Sequence, residues 1–302
     1  MRCIICGKEE RESIEHIIPQ ALGNEKLITE RVCEACNKRL GANIDYYLTD
    51  HPLVKLIRMN NGIVGKKNKI KFFDGVEKDI HSGIKYSMKD ETPKILPRII
   101  SDKDGGIRVE AANFEEGLAY LKKVLKRKGY CKEDIESYCE NAYCLASNHN
   151  APEFRKDASI NFALMDLAAV KIAYEYAHFI IGDEYLDDEI ALLFKRELYK
   201  AAKLEKHSVV PDDGLAQYVI FPISGSGIDK LLEEQRRILS ITTMNIQHTI
   251  FFIKQDNCLY CILNLFMTDV ISFAVKISND AKRYRIKMPM SMVFEDGNVE
   301  TL

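Results

Sequence analysis

Residues 3–37 read CIICGKEERESIEHIIPQALGNEKLITERVCEACN, and they decide what kind of fold the start of the chain can adopt. Cys3-x-x-Cys6 and Cys33-x-x-Cys36 are two short loops, each aiming a pair of thiolates at one point. Together they supply the tetrahedron that zinc prefers, with no coordination position left open, so the expected Zn2+ is structural. The segment between them is short, polar and turn-rich, and its few apolar side chains predict that it needs this staple to stay folded.

Between the cysteines, Ser13-Ile14-Glu15-His16-Ile17-Ile18-Pro19 alternates as a strand does, while Pro19 keeps Ile18 extended and ends the run. Neighbouring strand residues face opposite ways, so Glu15 and His16 can serve one site only at a strand end or a kink. Pro19 supplies such an end. Asn37 directly follows the last cysteine, which tethers three polar groups, Glu15, His16 and Asn37, to one zinc scaffold. A helix is predicted to start near Cys36 and run through Leu40, Ile44, Tyr47 and Leu48, with Pro52 marking a break or a new start.

These residues carry a resemblance. Cys-x-x-Cys, Glu15-His16-Ile17-Ile18-Pro19, Leu22-Gly23-Asn24 and Cys33-x-x-Cys36-Asn37 with Gly41 look like the HNH endonuclease family in its four-cysteine form, over residues 1–50. The resemblance implies a ββα-metal fold and a metal-dependent endonuclease that hydrolyses DNA phosphodiester bonds. Carried over position by position, it implies that His16 activates water as the general base and that Glu15 is a metal ligand. Asn37 is then the ligand at the helix start, where many members have their last histidine. The expected catalytic ion is Mg2+ or Mn2+, which shares its coordination with phosphate oxygens and water. A histidine with an ordinary pKa of about 6.5 is largely neutral at cellular pH and able to take a proton. At one point the chain departs from the family: Ile28-Thr29-Glu30 stands where the middle asparagine would orient the histidine. That leaves Asn24, Thr29 or a backbone carbonyl to do so.

With 302 residues the chain has room for two or three domains, and its formal charge of −2 argues against a protein that coats nucleic acid through global electrostatics. Any nucleic-acid contact must use a local basic surface. Lys66, Lys67, Lys69 and Lys71 on an expected hairpin offer one, and Lys122, Lys123, Lys126, Arg127 and Lys128 at an expected helix end offer another; each also reads as an ordinary solvated face. No apolar run reaches the ~20 residues of a membrane helix, and a cysteine knuckle stands where a signal sequence would begin. The expected location is the cytoplasm, with no membrane partner. Nucleic acid, double-stranded DNA first, is the expected partner, and a homodimer would let two sites cut both strands.

The whole is expected to be α+β: a zinc-stapled ββα-metal domain at 1–50, a β-rich segment at 51–112, a helical region at 113–205 and a strand-rich region at 206–302 of unknown role. Strands are predicted at 69–73, 84–88, 95–100 and 107–110, helices at 114–128, 132–146, 158–181 and 188–204, and strands again at 217–222, 246–254, 259–267 and 270–277. The helix at 158–181 is apolar on more than one side and should sit inside a core.

Other groups read as structural. Asp45, Asp50 and His51 lie a helical turn or more beyond Asn37 and are expected at the surface. Of the nine cysteines, Cys131, Cys139, Cys144, Cys258 and Cys261 are expected as buried reduced thiols, and His178 as a satisfied core histidine. Ser224-Gly225-Ser226-Gly227 reads as a loop, because its spacing completes no nucleotide fingerprint. Two other functions stay open: a non-catalytic zinc module that binds nucleic acid or protein, and an RNA-cleaving HNH nuclease, since the motif does not separate the two sugars.

Overall fold

The computed structural model describes residues 2–63, 70, 73, 75–89, 92–101, 107–145, 151–155, 161–209, 213–221, 233, 237, 245–268, 271–285 and 289–302. Lys66, Lys67, Lys69 and Lys71, with most of the strand expected around them, and Ser224 to Gly227 lie outside these residues. The chain begins with a minimal antiparallel hairpin, β1 (Glu15–His16) and β2 (Ile28–Thr29), in which Glu15 faces Thr29 and His16 faces Ile28. Helix α1 (Glu34–Leu40) runs into a π-helical turn at Gly41–Asp45 and then α2 (Tyr46–Thr49). Pro52 starts a new helix, α3 (Pro52–Asn60), whose first turn is capped by the His51 side chain accepting from Leu53 N. His51 is therefore a buried cap rather than a surface residue.

The segment Lys71–Ala158 forms its own compact unit. It holds an antiparallel meander, β3 (Gly75–Lys78), β4 (Lys85–Lys89) and β5 (Thr92–Ile95), and a hairpin, β6 (Arg98–Ser101) and β7 (Ile107–Glu110). The single strand expected at 95–100 is two, because Pro97 has no N–H to give a ladder. Ile84, Tyr86 and Met88 form its core with Phe73, Ile95 and Phe154. Helices α4 (Phe114–Arg127) and α5 (Lys132–Glu140) follow; the Cys131 thiol caps α5 by accepting from Asp134 N at 3.4 Å. Cys131 and Cys144 are exposed, so they are not the buried thiols the helical pattern suggested.

Met1–Ile70 and Ser159–Leu302 together make the other unit. Its axis is α6 (Phe162–Ile181), 20 residues long, capped by Asn161 and ended by Gly182 at φ 85°, whose N–H donates to His178 O at 2.8 Å. The helix is apolar all round because it is covered all round. After α7 (Glu189–Lys203) and β8 (Val219–Ile220) come β9 (Ile246–Gln255), β10 (Cys258–Leu265), β11 (Ser272–Ser278), β12 (Met290–Phe294) and β13 (Val299–Thr301). They form one antiparallel sheet in the order β13-β12-β9-β10-β11-β8. The buried core of this unit contains Phe252, Leu263, Phe273 and Val275 of the sheet, and Val170, Ile172, Tyr174 and Ala177 of α6.

The same core contains Ile4, Ile5, Ile17, Ile18, Leu22, Leu27 and Val32. The N-terminal segment is thus held by burial against the rest of its unit as well as by its cysteines, a contribution its own composition does not show. Tyr174 of α6 donates its hydroxyl to Ile4 O at 2.9 Å. The loop after β1 is clamped by the sheet: His248 Nε2 donates to Leu22 O at 2.7 Å while its Nδ1 accepts from Phe266 N at 3.0 Å. Gly23 has φ 100°, a conformation that L side chains rarely adopt, so the turn needs glycine, and the end of the Gln247 side chain lies close over it. No helix among the described residues is long and apolar enough to cross a membrane.

Candidate active site

The two cysteine loops are drawn together by the backbone before any metal is considered. Gly7, at φ 72°, turns the first knuckle so that its N–H donates to Cys3 O at 2.9 Å, and Cys33 N donates to Cys3 Sγ at 3.4 Å. The four sulfurs of Cys3, Cys6, Cys33 and Cys36 lie within 4.8 Å of one another, and Cys6 Sγ is 3.9 Å from Cys33 Sγ. A tetrahedron with Zn–S bonds of about 2.3 Å has edges of about 3.8 Å, so these residues fit zinc. Without the ion the quartet shares charge unevenly: hydrogen bonding from Cys36 pulls the Cys3 thiol down to about 4, and the same contact pushes Cys36 up. A dication is what lets all four ionise together.

Strand β1 is only two residues long and the chain bends at once, at Ile17 and Ile18. A strand that short does not force its two side chains apart. Glu15 and His16 both line one open hollow of about 230 Å³, with Asn37, Gly41, Asp45 and Thr49. Asn37 sits in the first turns of α1, where its Nδ2 donates to Ile14 O at 2.9 Å and Ser13 Oγ at 3.2 Å. A carbonyl can only accept, so the amide orientation is set and Oδ1 is the atom left for a ligand. Asn24 is elsewhere engaged: its side chain donates to Ile18 O and Leu27 O and accepts from Leu27 N, stapling the loop from inside.

Asp45 belongs to this hollow, contrary to the expectation of a surface role. The π-helical turn delivers it. Asn43, buried within that turn, donates to Ala201 O at 2.9 Å and accepts from His207 N at 2.9 Å, which ties the wider winding to the end of α7. Behind the two carboxylates lies the fully buried Lys171 of α6. Its ammonium donates to Glu15 Oε1 and, at 3.2 Å, to Asp45 Oδ2; Glu175, one helical turn on, is 3.4 Å away. Burial opposes the charge on Lys171, but the attraction of Asp45, Glu15 and Glu175 outweighs it and lifts its pKa well above the lysine value. Burial pushes Glu15 up to about 7 against the pull of Lys171, and it drives Glu175 well above the carboxylate range. Burial raises Asp45 as well, and Lys171 stands among three acids, of which Glu15 and Asp45 also line the hollow.

Lys171 and Glu175 went unmarked by the motif, yet their signal is present: two charges at i and i+4 in the middle of a largely apolar helix must find partners inside. Asp50 pairs with Lys55 at 2.5 Å, and His178 with Asp183 at 3.0 Å. Cys258 and Cys261 lie in β10, half-buried and buried. Among the described residues, the four-cysteine cluster is the one group of His, Cys, Asp and Glu placed to hold a metal without other donors.

Residues 3–53 match the model of a protein family described as HNH endonuclease. The match takes in both cysteine pairs and Glu15, His16, Asn37 and Asp45, while Lys171 and Glu175 lie outside it. No curated protein and no solved structure matches the chain.

Proposed function

We propose that this protein is a metal-dependent HNH endonuclease that hydrolyses DNA phosphodiester bonds, with His16 as its general base. The observation that carries the reading is the convergence of Glu15, His16 and Asn37, from a strand end and a helix start, on one open hollow in the segment that matches the family. His16 is half-buried there, exposed enough to take a proton from an attacking water and held by a backbone that is itself clamped. Glu15 and Asn37 Oδ1 would hold Mg2+ or Mn2+, and Asp45 adds a third oxygen. Oxygen donors of this kind suit a hard cation. The ion, when bound, stabilises charge on the phosphate and the departing 3′ oxygen. Lys171 braces both carboxylates from the buried side, which limits their freedom to turn away. The cysteine cluster holds structural zinc and leaves the chemistry to the hollow.

The test is cleavage of plasmid and linear DNA in Mg2+ and Mn2+, comparing wild type with His16→Ala after both are shown to retain zinc and fold. Metal-dependent cutting that the substitution abolishes is the expected result. Equal cutting by both proteins would remove His16 from the mechanism, and no cutting by either would remove the nuclease.

A further inference from the structure

A second hollow, of about 530 Å³, lies on the other flank of α1. Asn37 and Gly41 face the cutting hollow, whereas Lys38, Arg39 and Ala42 line this groove, so only the width of one helix separates the two. Lys8 enters from the first cysteine knuckle, Lys206 from the segment after α7, and Tyr199 forms a wall. Lys203 Nζ lies 4.1 Å from the centre of the Tyr199 ring, adding a further positive charge at the rim. Against these stand Glu10 and three of the zinc-cluster cysteines, Cys6, Cys33 and Cys36, whose thiolates are partly offset by the ion they would hold. Lys8, Lys38, Arg39 and Lys206 are exposed, and none of them has a carboxylate partner among the described residues. The chain as a whole is slightly acidic, with a net charge of −2, so this local excess is not a by-product of composition.

We propose that this groove binds the sugar-phosphate backbone of the nucleic acid a few nucleotides from the bond being cut. The inference rests on the nuclease reading above and deepens it by assigning where the substrate strand runs. A helix with its side chains is about 10–12 Å across, and phosphates along one strand recur at about 3.4 Å of helix rise. Because the strand also winds about the axis, successive phosphates lie about twice that rise apart, so a strand whose scissile phosphate sits at His16 and Asn37 brings its second neighbouring phosphate over the groove. The contacts are to phosphate, so the groove supplies affinity and register rather than sequence choice. No side chain of the groove belongs to the cutting hollow, which makes the two separable by mutation.

The experiment measures binding of a short DNA duplex as a function of salt, in a His16→Ala background that leaves the DNA intact, with and without Lys8→Gln, Lys38→Gln and Lys206→Gln together. Losing three phosphate contacts should lower the slope of log K against log salt by about 2.7 and weaken binding more than tenfold at moderate salt. In the otherwise wild-type protein the triple substitution should leave turnover of bis(p-nitrophenyl) phosphate, too small to reach the groove, within about twofold. An unchanged slope overturns the proposal. So does loss of zinc with an unchanged slope, which would mean that the lysines only offset the charge of the thiolates. Should the triple variant fail to fold, Lys206→Gln alone is expected to lower the slope by about 0.9, and no change there also overturns it. Wild type that turns over the small diester but binds no duplex would sink the groove while leaving the hydrolytic site standing; wild type that does neither would sink both.

Discussion

Glu15 and Asp45 each contact the Lys171 ammonium and each line the hollow shared with His16 and Asn37. Replacing Lys171 by methionine removes the buried ammonium that contacts Glu15, Asp45 and Glu175. Breaking a buried pair in this way costs about 3–5 kcal/mol, so Lys171→Met should unfold at markedly lower urea, while Glu175→Gln, which removes an acid whose ionisation burial already disfavours, should cost less. Asp45→Asn keeps the shape and removes a charge from the hollow; we expect Mn2+ affinity to fall about tenfold, about 1.4 kcal/mol, read by titrating Mn2+ into the zinc-loaded protein. Unaltered affinity would take Asp45 out of the cation's surroundings. His16, Glu15 and Asn37 could be read from sequence because each lies within a few residues of a cysteine knuckle or a proline. Asp45 and Lys171 could not be tied to them in advance, because one reaches the hollow through a π-helical turn and the other touches its carboxylates from a helix packed behind it, and neither event is local.

The loop between β1 and β2 is held by β9, through His248 on Leu22 O and the close passage of Gly23 over Gln247. Burial lowers the pKa of His248 to about 4, from an ordinary value near 6.5. Between those values the unfolded chain carries the proton and the folded chain does not. The clamp is therefore at full strength above about pH 6.5 and loses stability as pH falls toward 4, by up to about 3 kcal/mol. His248→Gln, which can still donate to Leu22 O, should flatten that part of the stability curve; wild type and variant running parallel from pH 7 to pH 4 would show that the clamp does not titrate. Element by element, the long periodic stretches were readable: α4 and α7 end within one residue of their predicted ends and α6 within four, and β9 to β11 follow their apolar runs. Of the short ones, β4 and β7 were also readable, from the expected strands at 84–88 and 107–110, but others were not. β12 and β13 have little alternation of their own and exist because β9 offers an edge to pair with.

At the scale of the molecule, the segment that carries the motif has no core to itself. Its isoleucines and leucines are buried against α6 and the C-terminal sheet, so the boundaries expected at 50 and 205 mark changes of element along the chain rather than edges of the unit that the fold makes. Removing zinc with a strong chelator should loosen the knuckles and the β1–β2 hairpin while much of the sheet persists, seen as lost hydrogen-exchange protection confined to residues before about 40. Full protection after chelation would show that burial alone suffices. The fold class could be read in advance from the mixture of periods, but this shared core could not, since composition records which residues are apolar and not which distant residues cover them. The dependence of Glu15 on Lys171, and of the Leu22 loop on His248, also has a bearing on birth order. A ribosome adding about 5–20 residues per second finishes the cysteine knuckles on the order of ten seconds before it reaches His248. During that interval the nascent chain displays the motif without the partners that shape it, so the hollow takes its final form only after His248 has emerged.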